Sequence, residues 1–255
     1  MTQSSSFCER LRTGEPLLAA SATISPVVAE LLGRCGFDWL FIDAEAHPLT
    51  QPDILNLILA AETTGTPPVV RMNNDHESDI RQVLDMGAAG VIIPLVKTAE
   101  QTRMIVEAAK FAPIGCRGIT AGRAQRYGYG KKLGEFIQQV NTQTAVIVMV
   151  EESTGLSNVE EIAAVEGLDG IFIVPGDLSI SLGCPGEHLH DEMVAAYRSI
   201  AAAARNHNVA LGTFPSSREM YDLCHAEGFR FFLTGLDTGF LRTAAVSRLN
   251  EMKNW

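Results

Sequence analysis

Eight short apolar runs punctuate the chain: "PLLAASA" (16–22), "DWLFID" (38–43), "PPVVRM" (67–72), "GVIIPLV" (90–96), "AVIVMV" (145–150), "DGIFIV" (169–174), "VALGTF" (209–214) and "FRFFLTG" (229–235). They are continuous rather than alternating in polarity, the pattern of parallel strands buried on both faces. The segments between them read as helices. In 53–64, Ile54, Leu57, Ile58 and Ala61 fall at i, i+3, i+4 and i+7 and make one apolar stripe, with Thr50 as cap and Pro52 near the first turn. Ser25 before Pro26 predicts another start, and "TAEQ" (98–101) and "SSRE" (216–219) fit the capping-box pattern. From residue 190, Met193, Tyr197, Ile200 and Ala204 repeat at helical spacing, and "TGFLRTAAVSRLNEM" supplies a last helix.

Eight strands alternating with helices predict a single (β/α)8 TIM barrel over residues 1–255, and ~250 residues is that fold's usual size. The rival is an open doubly wound sheet, which the even spread of eight units disfavours. No Gly/Ser/Pro-rich linker divides the chain. One connection is long: residues 97–144 separate the fourth and fifth strands and include "GCRGITAGRAQRYGYGKK" (115–132), rich in glycine and arginine.

Composition narrows the function. The formal charge is −10, which argues against nucleic acid or an anionic membrane as partner, while leaving room for a small anion met by a few arginines. Five scattered cysteines form no CxxC pair, as in a protein with reduced thiols. "MTQSSSFCERLRTGE" has no apolar signal core and no run approaches membrane-spanning length, so the expectation is a soluble cytoplasmic protein.

In such barrels chemistry sits at the C-terminal ends of strands and in the loops that follow. Asp43 ending strand two, Arg71 at the end of strand three, Glu151 after strand five and Asp177 just past strand six meet that test. Glu151 and Asp177 follow neighbouring strands, and two converging carboxylates suit a hard divalent cation. Arg71 offers a fixed positive fork for a carboxylate or a developing enolate. "VPGDLS" (174–179) runs a glycine turn into a helix start whose free N–H groups hold an anion. Each residue also has a plainer reading: Asp177 as a helix cap, Arg71 as half of a structural ion pair, and Arg117, Arg123 and Arg126 as a basic loop. Barrel position does not choose between Glu151 and Glu152. The histidines at 76, 188, 190, 207 and 225 sit at no strand end and read as surface or structural.

The chain resembles the HpcH/HpaI aldolase family of metal-dependent class II aldolases acting on pyruvate-type 2-oxo acids. The resemblance runs from about residue 17 to 245. "GFDWLFIDAE" is similar to the family's Asp-x-Glu-His element, "PPVVR" carries its arginine, "LDMGAAGVIIPLVKTAEQ" its fourth-strand unit and "RGITAGRAQRYG" its Arg-Gly…Arg-Ala-x-x-Tyr loop. "VEGLDGIFIVPGDLSISLG" is close to its most specific signature.

The resemblance implies that Glu151 and Asp177 bind a divalent metal (Mg²⁺, Mn²⁺ or Co²⁺) and that Arg71 steadies the enolate oxygen. It implies that the Gly176–Asp177–Leu178 turn receives the substrate carboxylate, that Asp43 backs the catalytic histidine, and that Asp85 is a second acid near the pocket. It further implies a 2-oxo acid substrate with an aldehyde or acyl-CoA co-substrate. The expected assembly is a homo-oligomer, usually a hexamer, whose C-terminal helix packs on or swaps with a neighbour. The "GITAGRAQRYGYG" connection is then the expected selector of the co-substrate.

Three positions depart from the family pattern. Histidine should follow the glutamate directly, but that place is Ala46, and histidine comes one later at His47. A one-residue displacement at a strand end turns a side chain away, so His47 does not simply inherit the role of base, unless a local bulge restores it. Met149 stands where glutamine is common, and "RMNND" (71–75) replaces a proline-containing turn. The enolate machinery is kept while the acid–base side is altered. Three fates fit: an ordinary aldolase; a citrate synthase of the siderophore-pathway branch, an acyltransferase condensing oxaloacetate with acetyl-CoA; or a non-catalytic barrel that binds a dicarboxylate.

Overall fold

Strands β1 (Leu17–Ser21), β2 (Trp39–Asp43), β3 (Pro68–Arg71), β4 (Gly90–Ile93), β5 (Ala145–Met149), β6 (Gly170–Ile173), β7 (Ala210–Thr213) and β8 (Phe231–Gly235) pair in chain order, all parallel. In this computed structural model, which describes residues 6–255, β8 closes onto β1. Residues 1–5, the start of the N-terminal stretch read for a signal core, lie outside the described residues. All eight apolar runs are strands, and closure excludes the open doubly wound sheet.

The strands bury two faces by strict alternation. Trp39 and Phe41, Val69, Ile92, Ala145, Ile147 and Met149, Phe172, and Phe231 and Leu233 fill the barrel interior. Their neighbours Leu40 and Ile42, Val70, Val91 and Ile93, Val146 and Val148, and Ile171 and Ile173 face the helices. Gly212 shows how tight the interior is: a Cβ there would lie 2.2 Å from the Phe231 ring. Helix Phe7–Leu11 plugs the N-terminal end with Phe7, Cys8 and Leu11. Below it, buried Asp169 accepts from Lys110 Nζ (3.0 Å), Arg12 Nη2 (2.8 Å) and the Val146 N–H (3.0 Å). With donors on every side, the buried pair Lys110–Asp169 is a structural pin.

Helix starts follow the capping chemistry, with two differences. Ser25 and Thr50 cap helices Pro26–Arg34 and Gln51–Thr63, and Thr50 completes a capping box with Asp53. Thr98 caps Ala99–Ala109, but the Gln101 side chain accepts from the Lys97 N–H instead of closing a box on Thr98. In "SSRE" the cap is Ser217, not Ser216, because Ser217 Oγ accepts from the Met220 N–H while Ser216 Oγ turns to His188. The last helix, Asp237–Lys253, buries only its first residue; Leu241, Val246, Leu249 and Met252 stay exposed. Among the described residues no helix is long and apolar enough to cross a membrane.

Candidate active site

The inward rows of the barrel end in polar residues at its C-terminal mouth. Asp43 continues the row Trp39–Phe41, Arg71 follows Val69, and Glu151 follows Ile147 and Met149, so the period that fills the core also aims these side chains at one opening. Asp43 and Arg71 are register partners on β2 and β3. Arg71 grips Asp43 with both arms of its fork, Nε to Oδ1 at 2.9 Å and Nη2 to Oδ2 at 2.7 Å, and its Nη1 lies 2.7 Å from Glu45 Oε2. Its guanidinium also stands over the Phe41 ring.

The turn after β2 is built on the Asp43 carboxylate. Oδ1 accepts the N–H groups of Glu45 (3.2 Å) and Ala46 (3.1 Å), which folds the chain sharply at the strand's end. Beyond that fold the alternation of a strand no longer governs side-chain direction. His47 therefore comes back over the site, with Nδ1 3.1 Å from Asp43 Oδ2. The expectation that the displaced histidine points away is corrected here. The side chain is brought back by an Asp43-centred turn rather than a bulge, since the β2–β3 register runs unbroken to Asp43.

Glu151 and Glu152 part company. Glu152 pairs with Lys97 at 2.7 Å on the half-exposed rim, whereas Glu151 is buried and accepts the Leu95 N–H at 2.7 Å on Oε1. No lysine or arginine forms an ion pair with Glu151 among the described residues. Burial pushes its carboxyl up to about 7, offset in part by the Leu95 N–H and reinforced by the charges of Glu45 and Asp177. Burial also raises Glu45, against the pull of Arg71 and with the push of Asp43 and Asp177. At Asp43 burial pushes upward too, but the hydrogen bonds and charge of Arg71 outweigh it and hold the carboxyl below its ordinary value. Arg71 in turn loses to burial and gains more from Asp43, Glu45 and Glu151, so it stays firmly charged.

Helix Pro175–Ser181 brings Asp177, in its first turn, into the field of Glu45 and Glu151. Asp177 is exposed, Leu178 buried, and a Cβ at Gly176 would meet nothing within 4 Å, so the turn is open on the mouth side. Glu151 and Asp177 are hard oxygen donors, and the buried Glu151 carboxylate, beside the like charge of Asp177, has no ion-pair partner among the described residues, which is the electrostatic need a divalent cation meets. Among the described residues no third His, Cys, Asp or Glu completes a protein-only cage. Two carboxylates leave positions for water and substrate oxygens, as Mg²⁺ sites commonly do. The donor set therefore fits a divalent metal.

Asp85 is elsewhere. It ends helix Glu77–Asp85, whose direction carries it to the N-terminal end of its own barrel, away from this mouth. There Arg117 Nη2 meets it at 2.5 Å and Thr120 Oγ1 at 3.2 Å. Arg123 of the same long connection pairs with Glu62 and donates to the Met86 carbonyl at 2.7 Å. Within one chain, then, neither Asp85 nor "GITAGRAQRYGYG" borders the mouth, because helices of a barrel run antiparallel to the strands. Met149 forms part of the buried floor beneath Glu151. Two residues escape sequence reasoning. Glu45 is one. Buried Asp237 is the other, and it accepts from Thr23 Oγ1 (2.9 Å) and the Thr23 (2.6 Å) and Ile24 (2.9 Å) N–H groups, tying the loop after β1 to β8. The signal that would have found Glu45 is its place two residues beyond Asp43 in "DAE"; Asp237 carried no local signal.

The model of the HpcH/HpaI aldolase/citrate lyase family matches residues 20–244. A 2-keto-3-deoxy-L-rhamnonate aldolase of Escherichia coli O17:K52:H18 is 38% identical over 252 residues, 97% of this chain and 93% of the relative. The crystal structure of citrate synthase SbnG superposes with a TM-score of 0.87 at 29% identity, covering 98% of each chain. That of an HpcH/HpaI aldolase/citrate lyase family protein from Burkholderia cenocepacia J2315 gives 0.88 at 31% identity, covering 96% of this chain and 98% of the other.

Proposed function

The chain belongs to the HpcH/HpaI aldolase/citrate lyase family, and from that premise we propose that it is a divalent-metal-dependent aldolase of 4-hydroxy-2-oxo acids. The substrate class we assign is that of 2-keto-3-deoxy sugar acids, as in the rhamnonate relative. Retro-aldol cleavage between C3 and C4 of such a six-carbon acid yields pyruvate and a three-carbon hydroxyaldehyde. The observation that carries the reading is the mouth itself: an Asp43–Arg71 fork and an unpaired buried carboxylate, Glu151, ending inward rows of one barrel.

Glu151 and Asp177 would hold the metal, which when bound supplies a Lewis acid for the 2-oxo group. Arg71, locked in place by Asp43, offers the N–H groups that Asp43 does not take to the C2 oxygen as negative charge develops there. The open Gly176–Asp177–Leu178 turn presents backbone N–H groups to the substrate carboxylate. His47, oriented through Nδ1 by Asp43, has Nε2 free to take the proton from the C4 hydroxyl during cleavage and to return it during condensation.

The test is turnover. Treatment with EDTA should abolish cleavage of 2-keto-3-deoxy-L-rhamnonate, and Mg²⁺, Mn²⁺ or Co²⁺ should restore it, while Glu151→Gln and Asp177→Asn stay inactive at any metal concentration. Full activity in either variant would overturn the metal assignment. A second reading, citrate formation from oxaloacetate and acetyl-CoA, is favoured by the likeness to SbnG and by Met149 in place of the usual glutamine. A protein that forms citrate but leaves 4-hydroxy-2-oxo acids intact would establish it instead.

A further inference from the structure

Arg71 enters the mouth with one edge occupied and one tip covered. Asp43 takes Nε–H and one N–H of Nη2, and Glu45 covers Nη1 at 2.7 Å. A guanidinium has five N–H donors, so two remain, one on each terminal nitrogen. The Asp43 contact is a bidentate pair with a side chain only 3% exposed, the kind that does not exchange. The Glu45 contact is a single one from a side chain 29% exposed. Apart from Arg71, no other donor to the Glu45 carboxylate is present among the described residues. The rest of its surroundings repel it, since Asp43, Asp177 and Glu151 all act on it or are acted on by it as like charges.

We infer that Glu45 is a displaceable cap on Arg71, occupying the N–H that a substrate oxygen takes over on binding. Glu45 is then a positioning residue. In the empty site it keeps the guanidinium tip aimed into the mouth, and on entry of an anionic 2-oxo acid it turns out toward solvent. The exchange replaces one charge-assisted hydrogen bond of Arg71 by another, so the guanidinium stays satisfied throughout. Removing Glu45 from the mouth also relieves its repulsion with the incoming anion, which makes the swap favourable in one direction. The inference rests on the enolate-binding role given to Arg71 under the proposed function.

Oxalate, a planar two-carboxylate analogue of the pyruvate enolate, is the probe. Its binding to the full-length, Mg²⁺-saturated protein is measured by calorimetry for wild type, Glu45→Gln and Glu45→Asp, beside KM and kcat for retro-aldol cleavage. Glu45→Asp keeps the charge but withdraws the carboxylate by one methylene. The expected result is tighter oxalate binding by both variants, about three- to tenfold, the net scale of one hydrogen bond that oxalate no longer has to displace. KM should fall with them while kcat does not rise. Weaker or unchanged binding in both would overturn the inference, leaving Glu45 as a brace for Arg71. Tightening in Glu45→Gln alone would overturn it too, since only the mouth's charge would then matter. A wild type with neither metal-dependent oxalate binding nor turnover would sink the proposed function itself, and this inference with it.

Discussion

The imidazole Nδ1 of His47 lies 3.1 Å from Oδ2 of Asp43, the same oxygen that receives Arg71 Nη2 at 2.7 Å. One carboxylate thus orients both the imidazole and the guanidinium of the mouth. Asp43 can do this because Arg71 keeps it ionised. Its effect on His47 is to favour the tautomer that leaves Nε2 as acceptor.

His47→Ala should lower kcat for retro-aldol cleavage by roughly 10²–10⁴, the usual contribution of a general base, with little change in KM. The double change Ala46→His with His47→Ala, which restores the family's order, should not recover that loss, because the turn is already built to receive a histidine at 47. A His47→Ala enzyme within tenfold of wild type would show that the pair with Asp43 is only structural.

Arg71→Ala should cost about 10²–10³ in kcat/KM, the scale of removing one preorganised donor to a developing oxyanion. It also strips Asp43 and Glu45 of their counter-charge. Arg71→Lys should recover little of the loss, since a point charge cannot span both oxygens of Asp43 and still reach substrate. Steady-state kinetics of the two variants side by side checks this.

Glu151 makes the metal-free protein pH-sensitive. Its folded carboxyl is raised from 4.5 to about 7, so between these values the folded state holds more protons than the unfolded one. Stability from this group is therefore present at low pH and is lost as pH rises toward 7. The size is on the order of 3 kcal/mol for a shift of this kind. With EDTA present, thermal denaturation at pH 5 and pH 8 should differ more in wild type than in Glu151→Gln. Mg²⁺ should raise the wild-type Tm at pH 8 and much less at pH 5, where protons compete for the ligand.

The exposed stripe of helix Asp237–Lys253 predicts self-association. Leu241, Val246 and Leu249 are each more than half exposed on a helix that leaves its own barrel uncovered. Light scattering should find an oligomer at micromolar concentration, and Leu241→Asp with Leu249→Asp should reduce it to smaller species. A wild-type monomer would count against the assembly.

Much of this protein was decided by local pattern. Continuous apolar runs specify strands buried on both faces, and eight of them in alternation with capped helices specify a closed barrel. The alternation also dictates which residues face inward, so Asp43, Arg71 and Glu151 were legible as mouth residues from their place at the ends of rows. The tertiary structure alone decided the rest. That His47 reaches Asp43, although the family pattern puts histidine at position 46, depends on two N–H bonds to Asp43 Oδ1, which fold the chain out of strand geometry and cancel the rule that a one-residue shift reverses a side chain. That Asp85 and the arginine-rich connection leave the mouth depends on helix direction, and that Glu45 covers Arg71 depends on how the turn after β2 meets the end of β3 across the helix between them. Periodicity acts between near neighbours along the chain, whereas hydrogen bonds between side chains need coordinates that only closure of the barrel supplies.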